Sequence, residues 1–297
     1  MRVWREARRR IVRPPRAILP SVLSHDRPEG GRKGRMMKLH HALLAAGLMM
    51  PAAAEAHFQL IHVETPLIEA PGDVPVKLIF WHPFENGHVM DMGPPQAFYA
   101  VSRGEKIDLA ASLTPFTFTG ASNAAQGFDA VVPVTKAGDY VLVVEPAPYL
   151  EPSEDIFIQQ FAKVYLNRME LPTDWTEPQG LPTEILPLVK PYNVIAGSTF
   201  TGRVLSEGQP VAGAEIEVEF MAAEPDMATN APRTPVAGPM PGGAVVAVSD
   251  ADGTFTFGIP KAGWWGFAAL GTGPVKEHEG RELSQDAVIW VRAWDME

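Results

Sequence analysis

The stretch GAVVAVSDADGTFTFGIPKAGWWGFAAL, residues 243–270, decides how the whole chain is read. Its apolar runs are short, rich in β-branched and aromatic residues, and cut by turn residues rather than by helix caps. Asp252-Gly253 separates two of these runs, and this pair favours a tight hairpin turn because both residues tolerate positive φ. Trp264 and Trp265 are neighbours in a strand, so they point to opposite faces, and at least one belongs in a core. The same grammar continues on both sides. STFTGRVLSEGQPVAGAEIEVEF (198–220) reads as strand, glycine turn, strand, and QDAVIWVRAW (285–294) as a last strand.

Upstream, HFQLIHVE (57–64), VPVKLIFWHPF (74–84), QAFYAVS (96–102), FDAVVPV (128–134), DYVLVVEP (139–146) and IFIQQFAKVYL (156–166) are further strands, separated by Gly, Pro, Asp and Asn. Period-two counting puts Val76, Leu78, Phe80 and His82 on one face. With 29 Pro and 26 Gly in 297 residues, the chain reads as all-β, with two β-sandwich domains (Ig-like or transthyretin-like) in tandem. The N-terminal sandwich is expected over 57–168 and the C-terminal one over 195–297, with a mobile loop at 221–243. Five prolines in MELPTDWTEPQGLPTEILPLVKPYN (169–193) mark an extended connector over 169–194.

The first 56 residues stand apart. From Met37, MKLHHALLAAGLMMPAAAEA has a basic start, an apolar run and a small-residue end with Ala54 and Ala56 in A-x-A order, the pattern of a cleaved signal peptide over 37–56. Residues 1–36 read as an Arg-rich extension ahead of the true start, and the destination is periplasmic. Residues 1–56 hold 12 Lys and Arg and 4 Asp and Glu, which leaves 13 basic and 31 acidic residues and a net charge of about −18 from residue 57 on. Such a surface repels nucleic acid and anionic lipid and attracts cations. No later run reaches the roughly 18 apolar residues of a membrane span. Cysteine is absent, which excludes disulfides, thiolate metal sites and cysteine nucleophiles. None of the G-x-S-x-G, H-E-x-x-H, P-loop or G-x-G-x-x-G motifs is present, so no enzyme is expected.

Histidines carry the chemistry. From residue 57 on there are five, His57, His62, His82, His88 and His278, and four of them lie within the first 32 residues. In FWHPFENGHVMDMGPP (80–95), a loop at 83–87 would leave His82 and His88 facing each other across a hairpin, where Cβ atoms lie about 4.5–5.5 Å apart. Cleavage after Ala56 would expose His57, whose α-amine and ring Nδ1 together close a six-membered chelate. The amine's ordinary pKa of about 7.7–8.0 lets a metal displace its proton near neutral pH. The expected metal ligands are therefore His57, His82 and His88, a nitrogen set that suits nickel first, with cobalt or copper as alternatives. His62 falls on the other face of its strand and ranks second. Glu85 sits in the loop, and Met90 and Met92, which would favour Cu(I), read more simply as packing residues. His278, in KEHEGRE, reads as a solvated loop residue.

TDWTEPQGLPTEILPLVKPYNVIAGSTFTGRVLSEGQPVAGAEIEVEF (173–220), DGTFTFGIPKAGWWGFAAL (252–270), QDAVIWVRAW, HPFENGHVMDM (82–92) and the start AHF together resemble the periplasmic nickel-transport-associated (NikM-type) family. The G-x-P-V-A-G-A run followed by D-A-D-G-T-F-T-F resembles the small transthyretin-like or carboxypeptidase-regulatory sandwich. The first resemblance covers nearly all of 57–297. It implies an extracytoplasmic protein that assists uptake of nickel or cobalt, working with a membrane transporter or an outer-membrane receptor rather than serving as the permease. A periplasmic copper-binding protein is the first rival. A structural sandwich, or a carbohydrate binder using Trp264 or Trp265, is the rival of another class. An oxidase built on an N-terminal histidine would need an open coordination position and a substrate face, and neither is evident.

Overall fold

The computed structural model describes residues 58–238 and 245–296. The expected extension, the signal peptide, His57 and positions 239–243 of the expected mobile loop lie outside the described residues. In the first half the main strands are β1 (Phe58–His62), β2 (Gly72–Trp81), β3 (Val89–Met90), β4 (Ala97–Ser102), β5 (Glu105–Asp108), β6 (Thr114–Thr119), β7 (Ala124–Val134), β8 (Gly138–Glu145) and β9 (Ile156–Arg168). The second half adds β10 (Thr183–Pro187), β11 (Thr199–Ser206), β12 (Glu215–Phe220), β13 (Val245–Val248), β14 (Thr254–Gly258), β15 (Gly263–Ala269) and β16 (Arg281–Trp294). A single 3-10 turn, Ala110–Ser112, is the only helical element among the described residues, so the all-β reading holds.

The strands form three layers. A five-stranded sheet runs β1-β2-β7-β6, with β3 on β2. The central sheet has twelve strands, eight of them along the path β13-β12-β15-β16-β9-β8-β4-β5. A four-stranded sheet contains β10, β11 and β14. The sheets are sandwich-like, and two cores share the central one. Alternation along its strands assigns the two cores. Ala162, Val164, Val288, Trp290 and Trp264 face the β1-β2 sheet. Phe161, Tyr165, Ile289, Val291 and Trp265 face the β10-β11-β14 sheet. β9 and β16 join the halves as a parallel pair from Phe157↔Leu283 to Val164↔Trp290. A sheet covered on both faces needs strands that are apolar on both, which QQFAKVYL and DAVIWVRAW supply.

Three local expectations change in the folded chain. The Asp252-Gly253 turn forms, with Gly253 N–H donating to the Asp250 carbonyl at 3.0 Å, but the strands it joins do not pair. β13 pairs with β12 in the central sheet, whereas β14 pairs with β11 in the outer one. The turn is therefore a corner between layers, set by the different partner each strand finds for the one core they share. Gly253 has φ +72, and a Cβ there would come within 2.8 Å of the Val204 carbonyl. The proline-rich stretch expected as a connector includes β10, which pairs with β11, and its start is drawn onto the body by buried Asp139. One Asp139 oxygen accepts the N–H groups of Thr173, Asp174 and Trp175, and the other accepts the Asn167 amide. In the 221–243 segment, Met221, Ala222 and Ala223 are buried, and Pro225–Asp226 pairs with Ala231–Pro232.

One ion pair crosses between layers. Lys163 on β9 and Glu184 on β10 are both buried and meet at 2.5 Å. Burial alone would raise the Glu184 carboxyl, but the Lys163 ammonium and the N–H groups of Gln179 and Gly180 hold it below its usual range. Breaking one side of such a pair strands the other charge. Lys163→Met is expected to cost roughly 3–5 kcal/mol in urea denaturation. A loss under about 1 kcal/mol, the value of a surface pair, would show that the layers do not lean on it.

Candidate functional site

The HPFENGH turn is built as its spacing predicts. Phe80 pairs with Met90 and Trp81 with Val89, so the same register brings His82 and His88 to opposite positions at the strand ends. Gly87 N–H donates to the His82 carbonyl at 3.1 Å, and the Trp81 indole donates to the Gly87 carbonyl at 3.2 Å. Gly87 also lies against the His82 ring, so close that a Cβ would come within 3.2 Å of the His82 Cβ. The far side of the turn is tied to the second half, with Phe84 N–H donating to Glu219 and Ala223 N–H to the Pro83 carbonyl. The turn is therefore a fixed platform rather than a free tip.

The two histidines differ in surroundings. His82 is buried, whereas His88 is exposed, with its Nε2 at 3.4 Å from the Asn123 amide nitrogen. Glu85 is exposed on the turn. Met90 and Met92 are buried in the core, and the Met92 sulfur accepts a hydrogen bond from Gln59. β1 runs antiparallel to β2, and its first described residue, Phe58, pairs with Trp81. The residue before Phe58 is His57 and the residue after Trp81 is His82. Among the described residues no group of three or more His, Asp or Glu is placed to hold a metal ion.

Glu219 was not singled out by the sequence. EIEVEF alternates, and its glutamates share a face, but only the fold shows that this face is covered at Glu219. One carboxyl oxygen accepts the Phe84 N–H and the other has no partner. Burial pushes this carboxyl well above its usual range, helped by Glu217 and Glu85 and opposed by the Phe84 N–H. Its bond to the Phe84 N–H anchors the turn.

His62 belongs elsewhere. It pairs with Lys77, four residues along β1 from Phe58 or about 13 Å at strand rise. Its ring lies edge-on to Trp264, and neither ring nitrogen has a hydrogen-bond partner. Burial first, then Arg233 and Arg292, and last Lys77, lower its pKa to about 3, against the nearby Pro225 carbonyl, which acts to raise it. These cations are themselves engaged, Arg233 with Glu64, Arg292 with Glu224 and Lys77 with Asp129. His278 is partly exposed and lies edge-on to Phe157 at 4.7 Å, remote in sequence from the turn. Trp264 and Trp265 are both buried, so neither offers an exposed ring for stacking a sugar.

The architecture defines a layered β-sandwich protein. Within that class the chain belongs to the family described as a domain of unknown function, DUF4198, matched over residues 54–273. No curated protein matches it. Among solved structures it is similar to the D0-D1 domain of intimin, at 12% identity over 80% of this chain and 100% of that one, with a TM-score of 0.22. It is also similar to the N-terminal eight Ig domains of the Down syndrome cell adhesion molecule, at 12% identity over 81% of this chain and 28% of that one, with a TM-score of 0.20. The fibronectin(III)-like modules of Clostridium thermocellum CbhA follow at 8% identity over 80% and 95%, with a TM-score of 0.18. Superpositions this loose transfer no property of those proteins. No helix among the described residues is long and apolar enough to cross a membrane.

The His62 geometry sets a pH dependence. An unfolded chain protonates this histidine below about 6.5, but the folded one does not until about 3. The unfolded state thus binds the extra proton in that window, and stability falls as pH drops from 6.5 toward 3. His62→Phe removes the proton site while keeping a ring beside Trp264. Relative to the parent, it should gain about 2–3 kcal/mol between pH 7 and pH 4.5 in urea denaturation. A difference that is the same at both pH values would contradict a neutral, buried His62.

Proposed function

We propose that this protein captures a divalent transition metal outside the cytoplasm, nickel first with cobalt or copper as alternatives, and assists its uptake. The observation that carries the reading is the register of β1 on β2. Phe58, which follows His57 in sequence, lies opposite Trp81, which precedes His82, and His88 lies across the turn from His82. Signal cleavage after Ala56 would make His57 the first residue, and its amine and ring would then be offered to the same metal as the imidazoles of His82 and His88. Neutral imidazole and amine nitrogen suit Ni(II) and Cu(II). The burial of Met90 and Met92 leaves the thioethers out of this set and favours a nitrogen site over a Cu(I) site.

The acidic surface from residue 57 on raises the local concentration of cations. A periplasmic location and a handover to a membrane transporter or outer-membrane receptor follow from the leader sequence and from the resemblance to nickel-transport-associated proteins. In this reading the protein is a binder and not an enzyme.

Protein processed to begin at His57 should bind nickel in calorimetry, and the same protein with one residue added ahead of His57 should bind at least roughly tenfold more weakly. His82→Ala and His88→Ala should each weaken binding comparably, while His278→Ala should not. Equal affinity of the native and extended forms would remove the amine from the site and with it the proposal.

A further inference from the structure

A cavity of about 290 Å³ opens beside the turn platform, on the face of β1 and β2 that carries Gln59 and Phe80. It is mainly apolar. Phe80 and Met92 lie at its base, and Pro146, Pro148, Tyr149 and Ile158 form its walls. Phe80 and Tyr149 meet edge-to-face at 5.3 Å. Two prolines flank Ala147, so the wall is preformed rather than assembled on binding.

The polar groups of this cavity are one-sided. Gln59 spends its side-chain amide hydrogens on the Leu60 and Ile79 carbonyls and the Met92 sulfur, and its backbone N–H on the Gln160 side-chain oxygen. Among the described residues no lysine or arginine lines the space, whereas Asp91 stands at the rim, exposed, with one oxygen on the Gln126 N–H. Glu151 and Asp91 are both close enough to Tyr149 to act on its phenol. An apolar pocket with an aromatic wall, a carboxylate at its mouth and no compensating cation is complementary to a ligand with an apolar body and one positive charge.

We infer that this cavity is a binding site for a small organic cation, a primary amine on an aromatic or aliphatic body, held by Asp91 and the Tyr149 ring with its body against Phe80 and Met92. The site shares no lining residue with the histidine platform and does not need a metal. Its volume falls at the small end of ligand pockets, which suits a body of about one ring. The amine would keep its charge and sit at the rim, where it stays partly hydrated, while the ring displaces water from the base.

The test uses the purified chain in metal-free buffer and three probes of one shape: 2-phenylethylamine, 2-phenylethanol and phenylacetate. Calorimetry should give the amine a dissociation constant below about 1 mM, a modest demand for nine heavy atoms. The alcohol should bind roughly fivefold more weakly, the order expected of a partly exposed charge pair, and the acid should not bind detectably. Asp91→Asn keeps an acceptor for Gln126 but loses the charge, and it should bring the amine down to the alcohol's affinity without changing the alcohol. Ala147→Trp fills the space and should abolish both, with an unchanged melting curve as the control for folding. Absence of amine binding at millimolar concentration, equal binding of all three probes, or an Asp91→Asn protein that still prefers the amine would each overturn the inference. Nickel affinity should be unaffected by Ala147→Trp, so failure here and failure at the histidine platform are read separately.

Discussion

The parallel pairing of Ile156–Arg168 with Arg281–Trp294 is the constraint on which the molecule depends. It joins strands far apart in sequence, and it makes one sheet serve two cores. Parallel strands cannot be joined by a tight turn, so the long connection between them is free to build a layer of its own. That layer, with β10, β11 and β14, covers the outer face of the same sheet. Burial on both faces then requires that any polar group inside be satisfied locally. Lys163 with Glu184, and Asp139 with three consecutive backbone N–H groups, are how the chain meets that demand.

Much of the fold was legible because β-structure is written locally. Alternation, Gly and Pro punctuation and β-branched content placed most strands, including the apolar 156–166 run whose composition alone would also suit a helix. The turn at 83–87 was legible for the same reason: a short loop sets the register of the residues beside it, so His82 and His88 could be paired from spacing. Strand partnership was not legible. Asp252-Gly253 announces a turn correctly, but whether its flanking strands pair or part is decided by the separate partners, β12 and β11, that each of them finds. QQFAKVYL and DAVIWVRAW carry the signature of doubly buried strands, but that signature does not name the partner.

The candidate site shows the same division. Period-two counting set His62 apart from His57, and the fold gives the physical consequence: a neutral ring beneath Trp264, ringed by cations whose own partners are already engaged. Glu219 and the cavity beside Phe80 lay beyond the sequence because both arise where segments remote in the chain meet. The EIEVEF strand is half polar by pattern, and only its docking against the 83–87 turn makes one of those carboxyls an internal anchor. In the same way, Asp91 faces a cavity because Pro146–Pro148 arrives from another strand to wall it.

Sharing one sheet between two cores has a consequence for the order in which the chain can acquire structure. β16 completes both cores at once, so a chain that has emerged only as far as β15 has two open hydrophobic faces and no finished half. Contacts of such long sequence separation are slow to form. The unfinished chain should therefore remain pliable and easily threaded, and it should become protease-resistant late and in one step. Limited proteolysis of nascent chains halted just before and just after residues 281–294 would reveal that threshold.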